Sequence, residues 1–528
     1  MTDQAYGIDL GTTYSVVALV DETGQAQIIP NFEGTNTTPS VVYFQDSGEV
    51  VVGRIAKETA QSDPLNACAL IKRHMGAVFP QEFRGTSWTP EGISAFILKE
   101  LVSKANSQNG LDIKKVVITV PAYFGVQEKE ATRQAGVIAG LEVIGIIPEP
   151  VAAAISLGTK QEEEQTILVF DLGGGTFDTT VLEAQAGRVK VIAIDGNRLL
   201  GGADWDSRLE ALYLKKFADQ TGLDEDVLRA DDEFMGDLGS KIEDAKIFLG
   251  RLPEKGLVLR FEGEKANVAV TREEFEAASA DLVAQTVEIT QRVIETAKGK
   301  VAGLAIDRLV LVGGSSRMPM IQAALTAAGF APEETDFDLS VAKGAAVYAE
   351  GGIPRYTGDE EEADSSPGAA PRFSVESGVP SIKVENVLSR GLGVRMFNEN
   401  DELEIVFLAH QNDLLPLDKS TTGEIREDGQ SAVIVPLYEQ GGETESLKPE
   451  HNNPMQEGEA TTISGLTGMR RGDPIEIRLS VSSDGIARLS VTEPKSGRSF
   501  TAEASVAVLT PEQVEEIRKE VRLRPTTS

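Results

Sequence analysis

A single cysteine, Cys68, stands in a chain of 528 residues, so no intrachain disulfide can form, and a reducing cytosol fits that usage. Histidine is almost as scarce: His74, His410 and His451 are scattered, with none of the spacings that bind zinc. No apolar run is long enough to span a bilayer. The opening MTDQAYGIDLG also lacks a basic region followed by an apolar core, so a cytoplasmic chain with no membrane partner is expected. Basic residues are outnumbered 83 to 50, a net charge of -33 that repels nucleic acid and anionic lipid and excludes both as main partners. The remaining composition, 41% hydrophobic and 25% charged, is that of an ordinary globular protein with several domains, expected to be a monomer.

The most informative stretch is VFDLGGGTFDTT, Val169 to Thr180. An apolar run ends at Asp171, turns through Gly173, Gly174 and Gly175, and resumes with alternating Phe177, Thr179 and Val181, which predicts a hairpin. Glycines at a hairpin tip let backbone N–H groups approach phosphate oxygens, and Asp171 and Asp178 would repel that phosphate unless a cation such as Mg2+ sat between them. Glycines that merely make the turn are the alternative for this stretch taken alone. Tyr6, Ile8 and Leu10 alternate around Asp9 before Gly11, Thr12 and Thr13, so Asp9-Leu10-Gly11 repeats the order Asp171-Leu172-Gly173. The repetition predicts a duplicated phosphate hairpin, two lobes and a cleft that clamps a triphosphate.

Other segments are placed around that cleft. Lys72 lies in a short amphipathic stretch that could point it inward, with a solvated surface lysine as the alternative. Thr89 and Pro90 open a helix, Val116 to Val120 is a buried strand, and Glu149 is held between Pro148 and Pro150. Gly201 and Gly202 turn into a helix, and strand Leu309 to Val312 delivers Gly313, Gly314, Ser315 and Arg317 into another. Cys68, four positions before Lys72, reads as a buried inert thiol or as an oxidation-sensitive neighbour of the site.

Four regions are expected: an α/β part carrying the phosphate cleft over 1–352, an acidic Pro/Gly/Ser linker over 353–381, a β domain over 382–508 and a short helical tail over 509–528. Alternation through Ile475, Ile477, Leu479 and Val481, a turn at Asp484-Gly485, and Ala487, Leu489 and Val491 marks a hairpin in the β part.

The stretches GIDLGTTYS, IKRHMG, VVITVPAYF, PEPVAAA, FDLGGGTFD, LVLVGGSSRMP and DLSVAKGAAV, in this order, resemble the seventy-kilodalton heat-shock chaperone family. The resemblance implies an actin-like, hexokinase-like ATPase fold followed by a β-sandwich that holds extended apolar peptides, in a short form that stops before the helical lid. It also implies ATP or ADP with Mg2+ as cofactors, K+ being a further candidate. By resemblance, Asp9 and Asp171 hold the Mg2+ waters, Lys72 stabilises the attacked phosphate, and Gly11, Thr12, Thr13, Gly173, Gly174 and Gly175 contact phosphates. Glu149 and Asp178 surround the attacking water beside Thr176, while Gly201, Gly202, Glu243, Lys246, Gly313, Gly314, Ser315, Arg317 and Asp338 line the nucleoside. Phe397 and Val433 fall near the peptide cleft, with ordinary sandwich core as the alternative.

Departures from the family pattern define further expectations. Ile247 and Gly250 stand where the family stacks an arginine on adenine and keeps a nearby serine, so Arg317 is expected to face an aliphatic wall and nucleotide affinity to be reduced. Gly125-Val126 replace Asn-Asp, Lys129 replaces the relay arginine, and Gly145 and Pro148 alter the approach to Glu149. Stimulation by a J-domain co-chaperone is therefore doubtful, whereas a nucleotide exchange factor stays a candidate partner. Lys383 and Glu385 interrupt the apolar interdomain segment, so any docking of it must be one-sided. The implied function is ATP-dependent binding of unfolded or extended polypeptides. Two alternatives remain, a small-molecule kinase on the same fold and an ATP-binding scaffold for one dedicated partner.

Overall fold

The structure is a computed structural model that describes residues 4–77, 79, 81–158, 163–185, 187–351, 382–398, 400–442, 444–455, 462–483, 485, 487–495, 497–504 and 509–527. The acidic stretch expected over 353–381 and the turn residue Asp484 lie outside the described residues. Among the described residues, no helix is long and apolar enough to cross a membrane.

The first lobe is built on strands β1 (Ala5–Leu10), β2 (Tyr14–Val20), β3 (Ala26–Ile29), β7 (Lys115–Val120) and β8 (Glu142–Pro148), in the sheet order β8-β7-β1-β2-β3. A small sheet beside it contains β4 (Val42–Phe44), β5 (Val50–Val52) and β6 (Ala67–Cys68). The second lobe repeats the plan with β9 (Gln165–Leu172), β10 (Phe177–Gln185), β11 (Arg188–Asn197), β12 (Arg308–Val312) and β13 (Pro332–Glu334), in the order β13-β12-β9-β10-β11. In both sheets a parallel strand flanks one side of the leading hairpin and an antiparallel strand the other. The duplication read from two DLG triplets is thus a duplication of five corresponding strands in each six-stranded sheet.

Helices cover these sheets: α1 (Arg54–Thr59), α2 (Pro90–Asn109), α3 (Val126–Ile138), α4 (Glu149–Gly158), α5 (Gly202–Thr221), α6 (Asp232–Arg251), α7 (Ala280–Lys300) and α8 (Ser340–Gly351). The Thr89 side chain accepts from the Gly92 N–H with Pro90 at the first position, so α2 starts where the sequence places it. The sheet strands are nearly continuous apolar runs because helices bury them; Val116, Val117, Ile118 and Val120 are fully buried.

After residue 381 the chain first adds strand β14 (Lys383–Glu385) to the second lobe, parallel to β11, with Val189 opposite Val384. Val384 packs against the apolar core while the Lys383 side chain is 72% exposed, and Glu385 takes a two-pronged ion pair from Arg188. Docking is one-sided, as the alternation of Lys383, Val384 and Glu385 requires.

Two four-stranded antiparallel sheets follow, with a buried apolar layer that includes Leu392, Val394, Leu437, Ile477, Leu479 and Leu489. One sheet joins β15 (Leu392–Phe397), β16 (Leu403–Ala409), β19 (Leu437–Gln440) and β20 (Asn452–Pro454). The other joins β17 (Leu417–Glu424), β22 (Pro474–Val481), β23 (Ala487–Glu493) and β24 (Arg498–Ala504). A side ribbon pairs β18 (Ala432–Ile434) with β21 (Thr462–Ser464). The chain then returns to the first lobe through helix α9 (Pro511–Leu523) and strand β25 (Thr526–Thr527).

Candidate functional site

The two leading hairpins point their turns at each other. Asp171 lies opposite Asp178 in the β9–β10 register, as Asp9 lies opposite Val16 between β1 and β2. The turns interlock so tightly that a Cβ at Gly174 would come 2.2 Å from Thr13 Oγ1, and one at Gly175 would come 2.2 Å from Thr12 Cγ2. Only glycine allows that approach, which leaves the backbone N–H groups of the second tip next to the threonines of the first. Gly11 secures the first tip, its carbonyl accepting from Ser40 Oγ at 2.8 Å.

The glycine turn at the start of α5 closes over the second tip. Gly202 N–H donates to the Gly173 carbonyl at 3.0 Å and Ala203 N–H to that of Gly174 at 2.8 Å, while Gly201 N–H is held by Asp204 at 2.8 Å. Lys246 Nζ reaches the Gly202 carbonyl at 3.1 Å and Asp206 at 2.9 Å. From the β12 side, Ser316, not Ser315, engages the hairpin, since Leu172 N–H donates to Ser316 Oγ at 3.2 Å. Gly313, Gly314 and Ser315 lie in the same turn.

Glu149, Asp171, Asp178 and Lys72 are buried beneath the tips, and Asp9 is half-buried beside them. Lys72 Nζ donates to Glu149 Oε1 at 2.5 Å, both side chains being at most 10% exposed, so Lys72 is an interior group and not a surface one. Thr119 Oγ1 donates to Asp9 at 2.8 Å, and the Tyr123 N–H donates to Asp178 at 3.3 Å. Burial first, then the charge of Glu149, holds Asp9, Asp171 and Asp178 above the ordinary carboxylate range, and Lys72 offsets only part of this. When ionised, four acids against one lysine would leave an excess of negative charge that a divalent cation would neutralise. Among the described residues no three acids are grouped to coordinate a metal directly, so what fits is Mg2+ that keeps its waters and is held through them by Asp9 and Asp171 beside the glycine cradle.

The lobes are latched across the cleft mouth. Lys57 pairs with Glu243, Tyr14 OH donates to Glu243 at 3.1 Å, and Lys57 Nζ donates to Tyr14 OH at 3.0 Å. Arg73 Nε donates to the Gly175 carbonyl at 2.7 Å and its Nη2 to Asp204 at 2.6 Å. Arg317 donates to Asp338 at 2.6 Å and lies 4.6 Å from the centre of the Phe337 ring, while Ile247 is 49% exposed on α6. The structure thus gives Arg317 an acid and an aromatic ring as partners. Thr176 is buried and its carbonyl accepts from Gly173 N–H.

Sequence reasoning missed Thr119, Arg73, Lys57, Tyr14, Ser316 and Asp206. A threonine inside the apolar run Val116 to Val120 was the visible signal for the first. The others act through partners 40 to 229 residues away, and no spacing reveals that. Cys68 is buried and its thiol is pushed up to about 12, which favours the inert reading. Phe397 is 46% exposed beneath the Arg426 guanidinium, 3.5 Å from the ring centre, whereas Val433 packs partly buried against the sandwich core. The two do not share one environment.

A family model described as Hsp70 protein matches residues 5–84 and 80–524. Among curated proteins, Chaperone protein DnaK of Thermotoga petrophila is 37% identical over 505 residues, covering 93% of this chain and 78% of that protein. Chaperone protein DnaK of Thermosipho africanus is 35% identical over 502 residues, with the same two coverages.

Proposed function

The chain belongs to the Hsp70 family of ATP-dependent chaperones, which are ATPases, and from that premise we propose that its duplicated hairpins hydrolyse Mg2+-bound ATP to control polypeptide binding by the β-sandwich. The observation that carries the reading is the buried pair of Lys72 and Glu149 beneath two interlocked glycine turns. Mg2+, held through water by Asp9 and Asp171, would supply charge neutralisation at the phosphates. K+ is a further candidate cation, since the charge of four ionised acids exceeds what one lysine offsets.

Hydrolysis here is in-line transfer of the γ-phosphoryl group to water: a bond forms from the water oxygen to phosphorus, and the bond to the β-phosphate oxygen breaks. Lys72 faces the equatorial oxygens where charge spreads, with Thr176 and the N–H groups of Gly173, Gly174 and Gly175 as further donors. Thr12 and Thr13 hold the phosphates from the first lobe. Glu149 and Asp178 accept hydrogen bonds from the attacking water and fix its direction. The nucleoside rests between Gly201, Gly202, Glu243 and Lys246 on one side and Gly313, Gly314, Ser315, Arg317 and Asp338 on the other.

The reading divides the chain into an ATPase domain over 1–352, a linker over 353–381, a β domain over 382–508 and a helical tail over 509–528. Clients are unfolded or extended polypeptides, with Phe397 and Val433 as candidate contacts. We assign a cytoplasmic monomer and a nucleotide exchange factor as partner, and weak or absent stimulation by a J-domain protein, because Gly145 and Pro148 stand at positions that help receive that partner in the family. The test measures ATPase rate and binding of a labelled apolar peptide with and without ATP. Peptide release on ATP addition is the expected result; peptide binding indifferent to ATP would overturn the coupling.

A further inference from the structure

Where the β-sandwich meets the start of α3, three ionisable side chains are closed off from water. Glu439 of β19 and Glu128 of α3 are buried, and the Arg390 side chain, just before β15, is nearly so. The Val126 N–H donates to Glu439 Oε1 at 2.8 Å, and the Gly125 N–H donates to Glu128 Oε2 at 3.1 Å. Arg390 stands between the two acids, 3.3 Å from Glu128 Oε1 and 3.8 Å from Glu439 Oε2. The guanidinium is thus nearer Glu128, and Glu439 Oε2 is buried without a hydrogen-bond partner among the described residues.

One guanidinium faces two carboxylates, so the enclosed trio carries a negative charge when both acids are ionised and none when one of them is protonated. Other charged groups stand at its edges. Arg198, in the turn after β11, is 3.7 Å from Glu128 and about half exposed, and Lys129 of α3 donates to Ser389 Oγ at 3.1 Å. Tyr123, in the turn before α3, is buried, and its hydroxyl has no hydrogen-bond partner among the described residues. Burial, then the charge of Glu128, pushes Glu439 up to about 7, and Arg390, the Val126 N–H and Lys129 offset only part of this. An acid oxygen left without a donor is held better with a proton than with a charge, and in this trio that oxygen belongs to Glu439.

We propose that this contact is a proton-operated clasp: Glu439 holds the β-sandwich on the first lobe when protonated and loosens its hold when ionised, so that mild acid tightens the joint between the two parts of the chain. An open clasp returns Glu439 to water, where a glutamate titrates near about 4.3. The closed form therefore binds the proton more tightly than the open form. Closure is favoured at low pH and loses that advantage as pH rises to about 7. Between about pH 6 and about pH 8 the closing equilibrium weakens about tenfold. The inference goes beyond the proposed ATPase function and depends on neither Lys72 nor the acids at the hairpin tips.

The test is hydrogen exchange on the full chain at about pH 6 and about pH 8, each rate being divided by the intrinsic rate of that amide at that pH. The Val126 amide reads the clasp directly, and the amides of β7, enclosed between β8 and β1, read unfolding of the lobe as a whole. Relative to β7, Val126 is expected to be about tenfold better protected at the lower pH. Glu439→Gln keeps an oxygen for the Val126 N–H and cannot titrate, so its relative protection should be the same at both. Glu128→Gln leaves Arg390 to Glu439 and favours the ionised form, which should shrink the change to less than about twofold. Relative protection that does not change with pH in the parent overturns the proposal, as does a change that survives in Glu439→Gln. Should Glu439→Gln fail to fold, Glu128→Gln decides the matter, because a pH dependence left intact there rules out a proton held against the charge of Glu128.

Discussion

The carboxylate of Glu439, in the β-sandwich, accepts a hydrogen bond at 2.8 Å from the backbone N–H of Val126, the first residue of helix α3 in the first lobe. An acid at a helix N-terminus satisfies an open donor and complements the dipole, here from another part of the chain. Arg390 stands between Glu439 and Glu128, Ser389 Oγ donates to the Phe124 carbonyl at 2.7 Å, and Lys129 donates to Ser389 at 3.1 Å. Val126 itself is buried in the sandwich core. Gly125, Val126 and Lys129 thus form a docking socket for the β region.

Gly125 is the sensitive point of that socket, because a Cβ there would come 2.3 Å from both carboxylate oxygens of Glu439. Gly125→Asn is expected to expel Glu439 and lower stability by about 1–3 kcal/mol, the usual range for overpacking. Chemical denaturation measures the loss, and protection of the Val126 amide from hydrogen exchange should fall with it. A variant as stable as the parent would mean that Glu439 has another place to go.

Lys72→Ala should retain ATP binding within about threefold while single-turnover hydrolysis falls at least about 100-fold, the scale for losing one donor to a developing oxyanion. Glu149 would be left buried without its partner, so a stability loss of about 3–5 kcal/mol is expected in the nucleotide-free protein. Lys72→Arg keeps the charge but changes its shape, and should restore much of the stability with little of the rate. Turnover unchanged in Lys72→Ala would remove this lysine from the mechanism.

Much of this was legible in advance because hairpins are local. The order apolar run, Asp171, three glycines, then Phe177 in alternation fixes a turn within about twelve residues, and Asp9 repeats it. One-sided docking of Lys383–Glu385 followed from the period of two along a strand. Hidden from the sequence was whatever depends on partners far along the chain. That α9 lies on α2, that Arg73 ties one lobe to Asp204 of the other, and that Val126 enters the sandwich core are consequences of tertiary packing. The 1% exposure of Glu439 likewise comes from its docking against the start of α3.

The carboxylate cluster makes stability depend on pH in a definite direction. Burial, then the charge of Glu149, raises Asp171 and Asp178 well above their ordinary values, whereas in the unfolded chain they titrate near about 3.9. The folded ligand-free protein therefore binds more protons than the unfolded chain above that value, and its stability falls as pH rises toward the raised folded pKa. Mg2+ with nucleotide favours the ionised acids, so the gain in thermal midpoint on adding Mg-ADP should be larger at about pH 8 than at about pH 6. Asp171→Asn should raise the ligand-free midpoint and flatten its pH slope. A gain independent of pH in the parent would argue that these acids are already ionised.

The last expectation concerns base binding. Ile247 is 49% exposed on α6, directly after Lys246, whose ammonium reaches the Gly202 carbonyl at the hairpin tip. An isoleucine there offers a bound base only apolar contact, and Arg317 is drawn toward Asp338 and Phe337. A guanidinium at position 247 would add a planar cation to stack on the base, worth about 0.5–1 kcal/mol at an exposed site. Ile247→Arg should therefore tighten ADP binding about two- to fivefold in a calorimetric titration, with hydrolysis of bound ATP unchanged because the phosphate groups are untouched. Titration with a nucleotide lacking the adenine ring separates stacking from simple charge attraction, since only charge attraction would improve both ligands equally. Equal improvement, or none, would place position 247 outside the base site.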